Sequence, residues 1–427
     1  MPVRVEATAM ADNKLAGWLL AANRSCHEGN LALAELICRH ILETVGSQLD
    51  ALALLGLIAL KVRMYDFAID NLGKALKLDK NNVLARKYLR IAHEQSISQE
   101  HKSVRGQTRY LLIKAWGCGF WSDMDHVMGQ LLLAELTGRI PVVHWGGNSR
   151  FSDNSDRNAF EEFFQPVSNI SLPELQKESA TYYPPKWTRN NLADGALNQW
   201  NGCHSRVAGL YLLNRPESVV ISDFHTPVRN LIPWIRTEHP LFGMNRQALY
   251  RYLYAKYIKL QPAIEAGIEV FYQQHMKGKS MLGIHVRRSD KVVESSSAGL
   301  QEIEKLCLER VDRYLSRSRD AHLFLLTDST AVLDIYRERY QDRLNYIDCV
   351  RTDGDTGIHF LNNASKKRVG IDVVKDVYLA AKCDYFVGNA RSNVSTSVLH
   401  IKDWSPDKGT LYGDNVLDEE NIFIHKR

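Results

Sequence analysis

The stretch SMLGIHVRRSDK (residues 280–291) holds the strongest local signal in this chain. Its first part is apolar and has the length of a buried strand, and a run of charge follows directly at the carboxyl end. Two adjacent arginines, Arg287 and Arg288, are poor core residues. A guanidinium offers paired donors that match phosphate oxygens, and consecutive strand side chains point to opposite faces. The stretch predicts an anion-binding sheet edge; the alternative is a surface arginine pair bridged to Asp290.

Strand and helix patterns alternate on both sides of this stretch. HLFLLT, LNYIDCV and YFVGNA read as strands between the helices EIEKLCLERVDRYL, TAVLDIYRERY and GIDVVKDVYLAAKC. Upstream, YLLIKA and RIPVVHW read as strands around the helix SDMDHVMGQLLLAELTG, which we expect Ser122 to cap. Such alternation predicts parallel sheets covered by helices. We expect two α/β halves with ligands outside the carboxyl ends of the strands.

The two halves are joined by a segment of weaker periodicity. Residues 147–245 are rich in Asn, Ser, Pro and aromatic residues, which predicts long loops where acceptor specificity could reside. A single helix, RQALYRYLYAKYIKLQPAIEAGIEVFYQQH, is predicted to lead into the second half.

The N-terminal residues 13–95 are rich in Leu and Ala and match themselves at an offset of 34, with Trp18 on Leu52 and Ala34 on Ala68. They resemble tetratricopeptide repeats, although Lys80 stands where that family usually has proline. The alternative is an unrelated stack of helical hairpins. Two repeats cannot hide much apolar surface, so we expect the module to pack on the following domain, and it could also bind a protein partner or self-associate.

The composition, with 45% apolar and 24% charged residues in 427, is that of an ordinary globular protein of two or three domains. A net charge of +5 spread along the chain gives no support to nucleic-acid binding. No apolar run has signal-peptide or membrane-helix length. Seven cysteines without a CxxC pair suit free thiols in a reducing cytosol. We therefore expect a cytoplasmic protein without a membrane span.

Three ordered motifs carry a family resemblance. HVRRSDK resembles the HVRRTDK-type motif of the superfamily that contains the alpha-1,6-fucosyltransferases, the rhizobial nodulation-factor fucosyltransferases and the protein O-fucosyltransferases. LFLLTDS resembles its strand ending in TDD, and RVGIDVVKDVYLAAKCDYFVGNARSNVS resembles its closing stretch. The helix YLYAKYIKLQP resembles the one before the first motif. The similarity is clear over 250–398, weak over 105–250 and absent from the repeats.

The resemblance implies how the donor nucleotide is held. Arg287 would grip the β-phosphate of GDP with a hydrogen bond from Ser392, and Arg288 would lie near the diphosphate or hold the site together. His285 and Asp376 match positions that contact guanine, whose N1 and amino hydrogens suit a carboxylate. The structural alternatives are a core histidine for His285, a surface charge for Asp376 and an ordinary loop serine for Ser392.

The resemblance also suggests catalytic groups. Lys291 matches the motif lysine that assists a carboxylate base, and Glu294 is the nearest acid but stands one residue early. Asp328 matches the first aspartate of TDD, whereas Ser329 replaces the second. The alternatives are a solvated loop glutamate for Glu294 and a helix cap for Asp328.

Two weaker signals point to other chemistry. The DGD of residues 353–355 is a DxD, the metal-holding pattern of another transferase class, but TDGDTG reads equally as a polar turn. WGCGFW (residues 116–121) could place backbone N–H groups near a ligand, or form a tight turn.

The sequence as a whole predicts a GT-B-like, two-lobed α/β glycosyltransferase preceded by an all-α repeat module. We expect repeats over 1–100, an N-terminal lobe on the acceptor side over 105–275 and a nucleotide-sugar lobe over 280–427. The predicted reaction moves fucose from GDP-fucose to a saccharide hydroxyl with inversion and without a metal or cofactor. Alternatives are another GDP-sugar, a polypeptide acceptor, or a non-catalytic scaffold with a degenerate transferase domain.

Overall fold

A computed structural model of the chain describes residues 2–102, 108–154, 156–194, 209–288, 297–317, 320–354 and 365–413. The chain begins with five helices joined by short turns: α1 (Pro2–His27), α2 (Leu31–Val45), α3 (Leu49–Lys61), α4 (Tyr65–Leu78) and α5 (Val83–Lys102). None of the helices in these residues is both long and apolar enough to cross a bilayer.

Helices α3 and α4 approach each other closely in the second hairpin. A Cβ added to Gly56 would lie 2.4 Å from Cγ of Leu72, so α3 and α4 can meet only because Gly56 has no side chain. Ala34 and Ala68, which match at the offset of 34, are both fully buried. The all-α module is confirmed, while its assignment to the tetratricopeptide family stays a prediction.

The first α/β unit is a four-stranded parallel sheet in the order β2-β1-β4-β3. Its elements are β1 (Tyr110–Lys114), α6 (Phe120–Thr137), β2 (Ile140–His144), α7 (Leu172–Leu175), β3 (Tyr182–Tyr183) and β4 (Val219–Ser222). Between these lie long irregular segments with short 3-10 turns, as predicted for the middle of the chain.

The predicted cap of α6 is wrong. Gly119, rather than Ser122, is the N-cap, and its carbonyl accepts the N–H groups of both Ser122 and Asp123. The helix therefore starts one turn earlier than predicted. Asp123 explains the shift, because its carboxylate accepts the N–H groups of Gly117 and Cys118 and fixes the turn that precedes the helix.

The second α/β unit is a five-stranded parallel sheet in the order β7-β6-β5-β8-β9. Its elements, with the helices that lead into it, are α8 (Arg246–Tyr257), α9 (Pro262–Phe271) with a π turn (Tyr272–Met276), β5 (Ser280–Val286), α10 (Ser297–Leu315), β6 (Ala321–Thr327), α11 (Thr330–Tyr340), β7 (Leu344–Asn345), α12 (Lys366–Ala381), β8 (Tyr385–Asn389), α13 (Asn393–Ile401) and β9 (Gly409–Tyr412). The two-lobed α/β fold class is confirmed.

The helix predicted before β5 is broken in two. Pro262 opens α9, and proline disfavours the helical conformation in the residue before it, so α8 ends at Tyr257. The intervening segment is extended instead, and Leu260 forms a β-bridge with Phe164 of the first unit.

The two α/β units touch through apolar and polar contacts. Trp121 Nε1 donates to the carbonyl of Val373 on α12. Asp125 of α6 accepts hydrogen bonds from His225, 2.9 Å away, and from Tyr250 of α8. The Tyr250 ring stacks on His400 of α13 with centroids 3.6 Å apart. Helices α6, α8 and α13 are thereby connected at the junction of the lobes.

The repeat module docks on the first unit, as expected. The carbonyls of Gly29 and Arg63 accept hydrogen bonds from Tyr211 and Asn214 respectively. Further contacts are the ring pair Phe67 and Trp234, the ion pair Arg236 with Asp66, and the bond from Arg39 to the Pro233 carbonyl. The turns and second helices of the hairpins make these contacts.

Candidate active site

The strand order of the second sheet indicates where a ligand would bind. From β5 the chain moves outward on one side through β6 and β7, then crosses to the other side to form β8 and β9. Ligands of open parallel sheets bind outside the carboxyl ends of the strands where this reversal occurs. The reversal lies between β5 and β8, so the segments after Val286 and Asn389 border the expected crevice.

The arginine pair lies at this point. Arg287 Nε is 3.7 Å from Oδ2 of Asp328, which follows β6. Oδ1 of Asp328 accepts the backbone N–H of Arg288 at 3.1 Å. Asp328 therefore holds together the segments that follow two neighbouring strands.

The two arginines diverge. Arg288 points to α10, where its Nε is 3.6 Å from Oε1 of Glu304, and 40% of its side chain is exposed. Arg287 stays at the sheet edge and is only 20% exposed. Burial raises the pKa of Glu304, and the charge of Arg288 opposes that rise. The pair therefore divides between the sheet edge and a covering helix, as strand alternation predicts.

His285 is buried on the sheet face that α13 covers. Only 4% of it is exposed, and its Nδ1 lies 2.7 Å from Oγ of Ser395 on α13. Burial lowers the pKa of His285 to about 3, and the charge of Arg287 adds to this. The imidazole is therefore neutral at physiological pH.

Asp376 lies in the middle of α12 and has no hydrogen-bond partner at one oxygen. The residue is half-buried as a whole, but its Oδ1 is out of contact with solvent and accepts no hydrogen bond from the described residues. Burial raises its pKa well above the ordinary value, the charge of Arg351 opposes this, and Asp372 adds to it. Such an oxygen is unusual in a folded protein and marks a place for a donor.

Ser392 is the N-cap of α13 and comes directly after β8. It is 1% exposed, and its Oγ has no partner among the described residues. An N-cap serine ordinarily accepts an N–H from the first turn of its helix, but this one does not. Its hydroxyl is therefore available to a group at the helix N-terminus, where anions are favoured.

Several predicted residues fall outside the described residues or take a different part. Lys291, Glu294 and Asp355 lie outside them. Ser329 caps α11 by accepting the Val332 N–H at 3.4 Å, so the helix-cap alternative for Asp328 is wrong. The N–H groups of Gly117 and Cys118 in WGCGFW bind Asp123 rather than an open crevice.

The carboxyl edge of the first sheet carries a row of buried titratable side chains that the sequence did not reveal. Lys114 and His144 end neighbouring strands in register, and Asp223 continues the row from β4. Lys186 pairs with Asp223 at 2.6 Å. Burial lowers the pKa of Lys114 to about 8 and that of His144 to about 4. Each of these residues looks ordinary in sequence, and only strand register brings them together.

Residues 240–397 match the profile of the family described as Nodulation protein Z (NodZ). The chain is 23% identical over 290 residues to Nodulation protein Z of Sinorhizobium fredii, covering 65% of this chain and 85% of that protein. It is 24% identical over 286 residues to Nodulation protein Z of Bradyrhizobium diazoefficiens, covering 62% and 72%. The resemblance carried by the three motifs is confirmed by these matches.

Two solved structures superpose on part of this chain. NodZ alpha-1,6-fucosyltransferase co-crystallised with GDP superposes with a TM-score of 0.44 at 20% identity, covering 68% of this chain and 92% of that one. POFUT1 in complex with GDP-fucose gives a TM-score of 0.45 at 14% identity, covering 72% and 98%.

Proposed function

We propose that this protein is a glycosyltransferase that moves fucose from GDP-fucose to a saccharide hydroxyl with inversion. One observation carries the proposal: Arg287 and the unpartnered hydroxyl of Ser392 border the reversal point between β5 and β8, with His285 beneath them. The sequence relation to Nodulation protein Z, a family that includes a solved alpha-1,6-fucosyltransferase, supports it.

Arg287 would stabilise the leaving diphosphate. Negative charge grows on the diphosphate as the sugar acquires oxocarbenium character, and a fixed cation there lowers the barrier. The contact with Asp328 orients the guanidinium before the donor binds. Ser392 would add a hydrogen bond at the N-terminus of α13, and Arg288 would brace the segment through Glu304. These groups supply the charge that a metal provides in other transferases, so we propose a metal-independent reaction.

His285 and Asp376 would select the base. The unsatisfied oxygen of Asp376 suits the N1 and amino hydrogens of guanine, and the neutral imidazole of His285 gains a partner in the same base. Ionising Asp376 is costly while it lacks a partner, and two donors from guanine would offset that cost.

The acceptor would approach from the N-terminal lobe. Lys114, His144 and Asp223 give the carboxyl edge of that sheet the polar character that hydroxyl recognition requires. Lys291 with Glu294 remains the proposed pair that receives the acceptor proton. We propose a cytoplasmic location, and no disulfide joins the described cysteines.

A donor panel tests the proposal. Purified protein is titrated with GDP and UDP by calorimetry, and turnover of GDP-fucose, GDP-mannose and UDP-sugars is followed with and without EDTA. We expect GDP to bind far more tightly than UDP, GDP-fucose to be the best donor, and EDTA to change nothing. Equal affinity for GDP and UDP contradicts the base assignment, and loss of turnover in EDTA contradicts the metal-independent reaction. Hydrolysis of another GDP-sugar in preference to GDP-fucose would contradict the proposed sugar but agree with the proposed nucleotide site.

A further inference from the structure

Ser395 forms two hydrogen bonds through one buried oxygen. It lies in the first turn of α13 and is fully buried. Its Oγ accepts the backbone N–H of Asn389 at 3.0 Å, and the same Oγ lies 2.7 Å from Nδ1 of His285. A backbone N–H can only donate, so the first bond leaves the hydroxyl proton for a second partner.

The second partner must be His285. In the described part of the chain, Oγ of Ser395 has no other acceptor within reach, and a buried hydroxyl proton without an acceptor is costly. Donation to Nδ1 requires a lone pair on Nδ1, which places the imidazole proton on Nε2. The oxygen also lies close to the backbone of Gly388, since a Cβ added there would be only 2.4 Å from it.

We infer that Ser395 is a specificity-determining positioning residue, which fixes the Nε2–H tautomer of His285 so that the imidazole offers a donor to the base. This inference rests on the proposed GDP site. His285 then presents a donor and Asp376 an acceptor, which together complement guanine, with its O6 acceptor and its N1 and amino donors. Adenine offers a donor at N6 and an acceptor at N1. Its donor would therefore face the donor of His285, and its acceptor would face the acceptor of Asp376.

The test begins on ligand-free wild-type protein. Nitrogen-15 NMR of histidine-labelled protein, with His285 assigned by comparison with His285→Gln, should show a protonated Nε2 and an unprotonated Nδ1. Ser395→Ala removes the donor, so the ring should populate the Nδ1–H form as well. The ratio of GDP to ADP affinity should then fall about tenfold, the loss of one good hydrogen bond.

Ser397→Ala is the matched control. It is the same change on the same buried helix, and Ser397 bonds Tyr254 rather than His285. Its tautomer spectrum and GDP to ADP ratio should equal those of the wild type. If Ser395→Ala does not fold, Ser395→Cys, whose thiol is a weak donor, gives the affinity ratio instead.

Two results overturn the inference. One is a wild-type His285 with its proton on Nδ1 in a protein that binds GDP. The other is an unchanged GDP to ADP ratio in folded Ser395→Ala. A wild-type protein that shows the Nε2–H tautomer but binds no GDP contradicts the proposed function, and the specificity role with it, while the tautomer assignment stands.

Discussion

Arg287 is oriented by Asp328 across the ends of two strands, 3.7 Å from Nε to Oδ2. A guanidinium that is already oriented loses little entropy on binding a phosphate, so its charge acts in full on the leaving diphosphate. We expect Arg287→Ala to lower turnover about 100- to 1000-fold, the usual effect of losing one such donor. Arg287→Lys should also be poor, because an ammonium cannot reproduce the paired donors.

The control for this change is Arg339→Ala. Arg339 is also paired with an aspartate of the same lobe, Asp312, but 51% of its side chain is exposed. Exposed pairs contribute about 0–1 kcal/mol, so this variant should keep both its fold and its turnover. Near-normal turnover in folded Arg287→Ala would contradict the phosphate role.

The raised pKa of Asp376 predicts pH-dependent binding. In the ligand-free protein burial keeps this carboxyl protonated above the ordinary range near pH 4, whereas pairing with guanine donors needs the carboxylate. Guanosine affinity should therefore rise as the pH rises above the ordinary range of an aspartate, with proton release on binding. Calorimetry in two buffers of different ionisation enthalpy measures that release.

Guanosine is the suitable ligand for this measurement because it carries no titrating phosphate. Asp376→Asn should bind more weakly and lose the proton release. Wild-type binding that is independent of pH and releases no proton would mean that Asp376 does not meet the base.

The charged residues at the ends of the strands could be predicted from the sequence, but their hydrogen-bond partners could not. Arg287 and Ser392 stand beside apolar runs, so their positions at strand ends could be predicted. Ser329 caps the helix, and Asp328 binds the N–H of Arg288 instead. Aspartate and serine are equally good caps, so the sequence could not distinguish the two roles. Ser395 gave no signal, because its role depends on a helix packing against a strand more than 100 residues away in sequence.

At the scale of elements, α12 carries Asp376 and lies tightly against the first lobe. A Cβ on Gly370 would meet the ring of Phe163 at 2.5 Å, and Phe163 is itself packed against Phe120. Gly370→Ala should lower the free energy of unfolding by about 1–3 kcal/mol, because the added methyl group overpacks the contact with Phe163. It should also weaken GDP binding, because relief of the clash moves the helix that holds Asp376.

Gly73→Ala is the control for this prediction. Gly73 also lies in a helix, but an added Cβ would meet nothing within 4 Å. Alanine there should stabilise the protein by about 0.5–1 kcal/mol and leave GDP affinity unchanged. If Gly370→Ala is as stable as Gly73→Ala, the lobes do not meet as closely as the structure indicates.

Element types were more predictable than element ends. The helix predicted across residues 246–275 breaks before Pro262, and the proline gave that signal in the sequence. LNYIDCV forms only two residues of edge strand, Leu344–Asn345, before it turns away. Its apolar content satisfied the strand pattern, but an edge strand has a neighbour on one side only, which the pattern does not encode.

At the scale of the whole molecule, strand order explains why distant segments share one site. The order β7-β6-β5-β8-β9 places the end of β5 beside the end of β8, although about 100 residues separate them in sequence. Parallel strands with covering helices could be predicted from the sequence, whereas two of the four strands of the first sheet could not. Its strands β3 and β4 are short and lie among loops, and their partners are set by tertiary contacts.

The repeat module offers the last prediction, because it covers the first lobe through Phe67 and Trp234, whose ring centroids are 5.5 Å apart. Trp234 is 2% exposed in the whole chain. Removal of residues 1–102 exposes it. All proposed donor residues follow residue 280, so the truncated protein should still bind GDP, but with lower solubility, self-association or impaired acceptor use.

Point variants distinguish the effect of losing the docking contacts from the other effects of the truncation. Trp234→Ala in the full chain should destabilise the protein by about 3–5 kcal/mol, whereas Arg236→Ala, which breaks the exposed pair with Asp66, should cost less than about 1 kcal/mol. Thermal unfolding, light scattering and GDP titration give the readouts. A truncated protein of unchanged solubility, oligomeric state and transfer rate would mean that the module plays no part in this reaction. Complete loss of GDP binding would mean that the repeats and the donor lobe fold as one unit, and the proposed boundary near residue 100 would be misplaced.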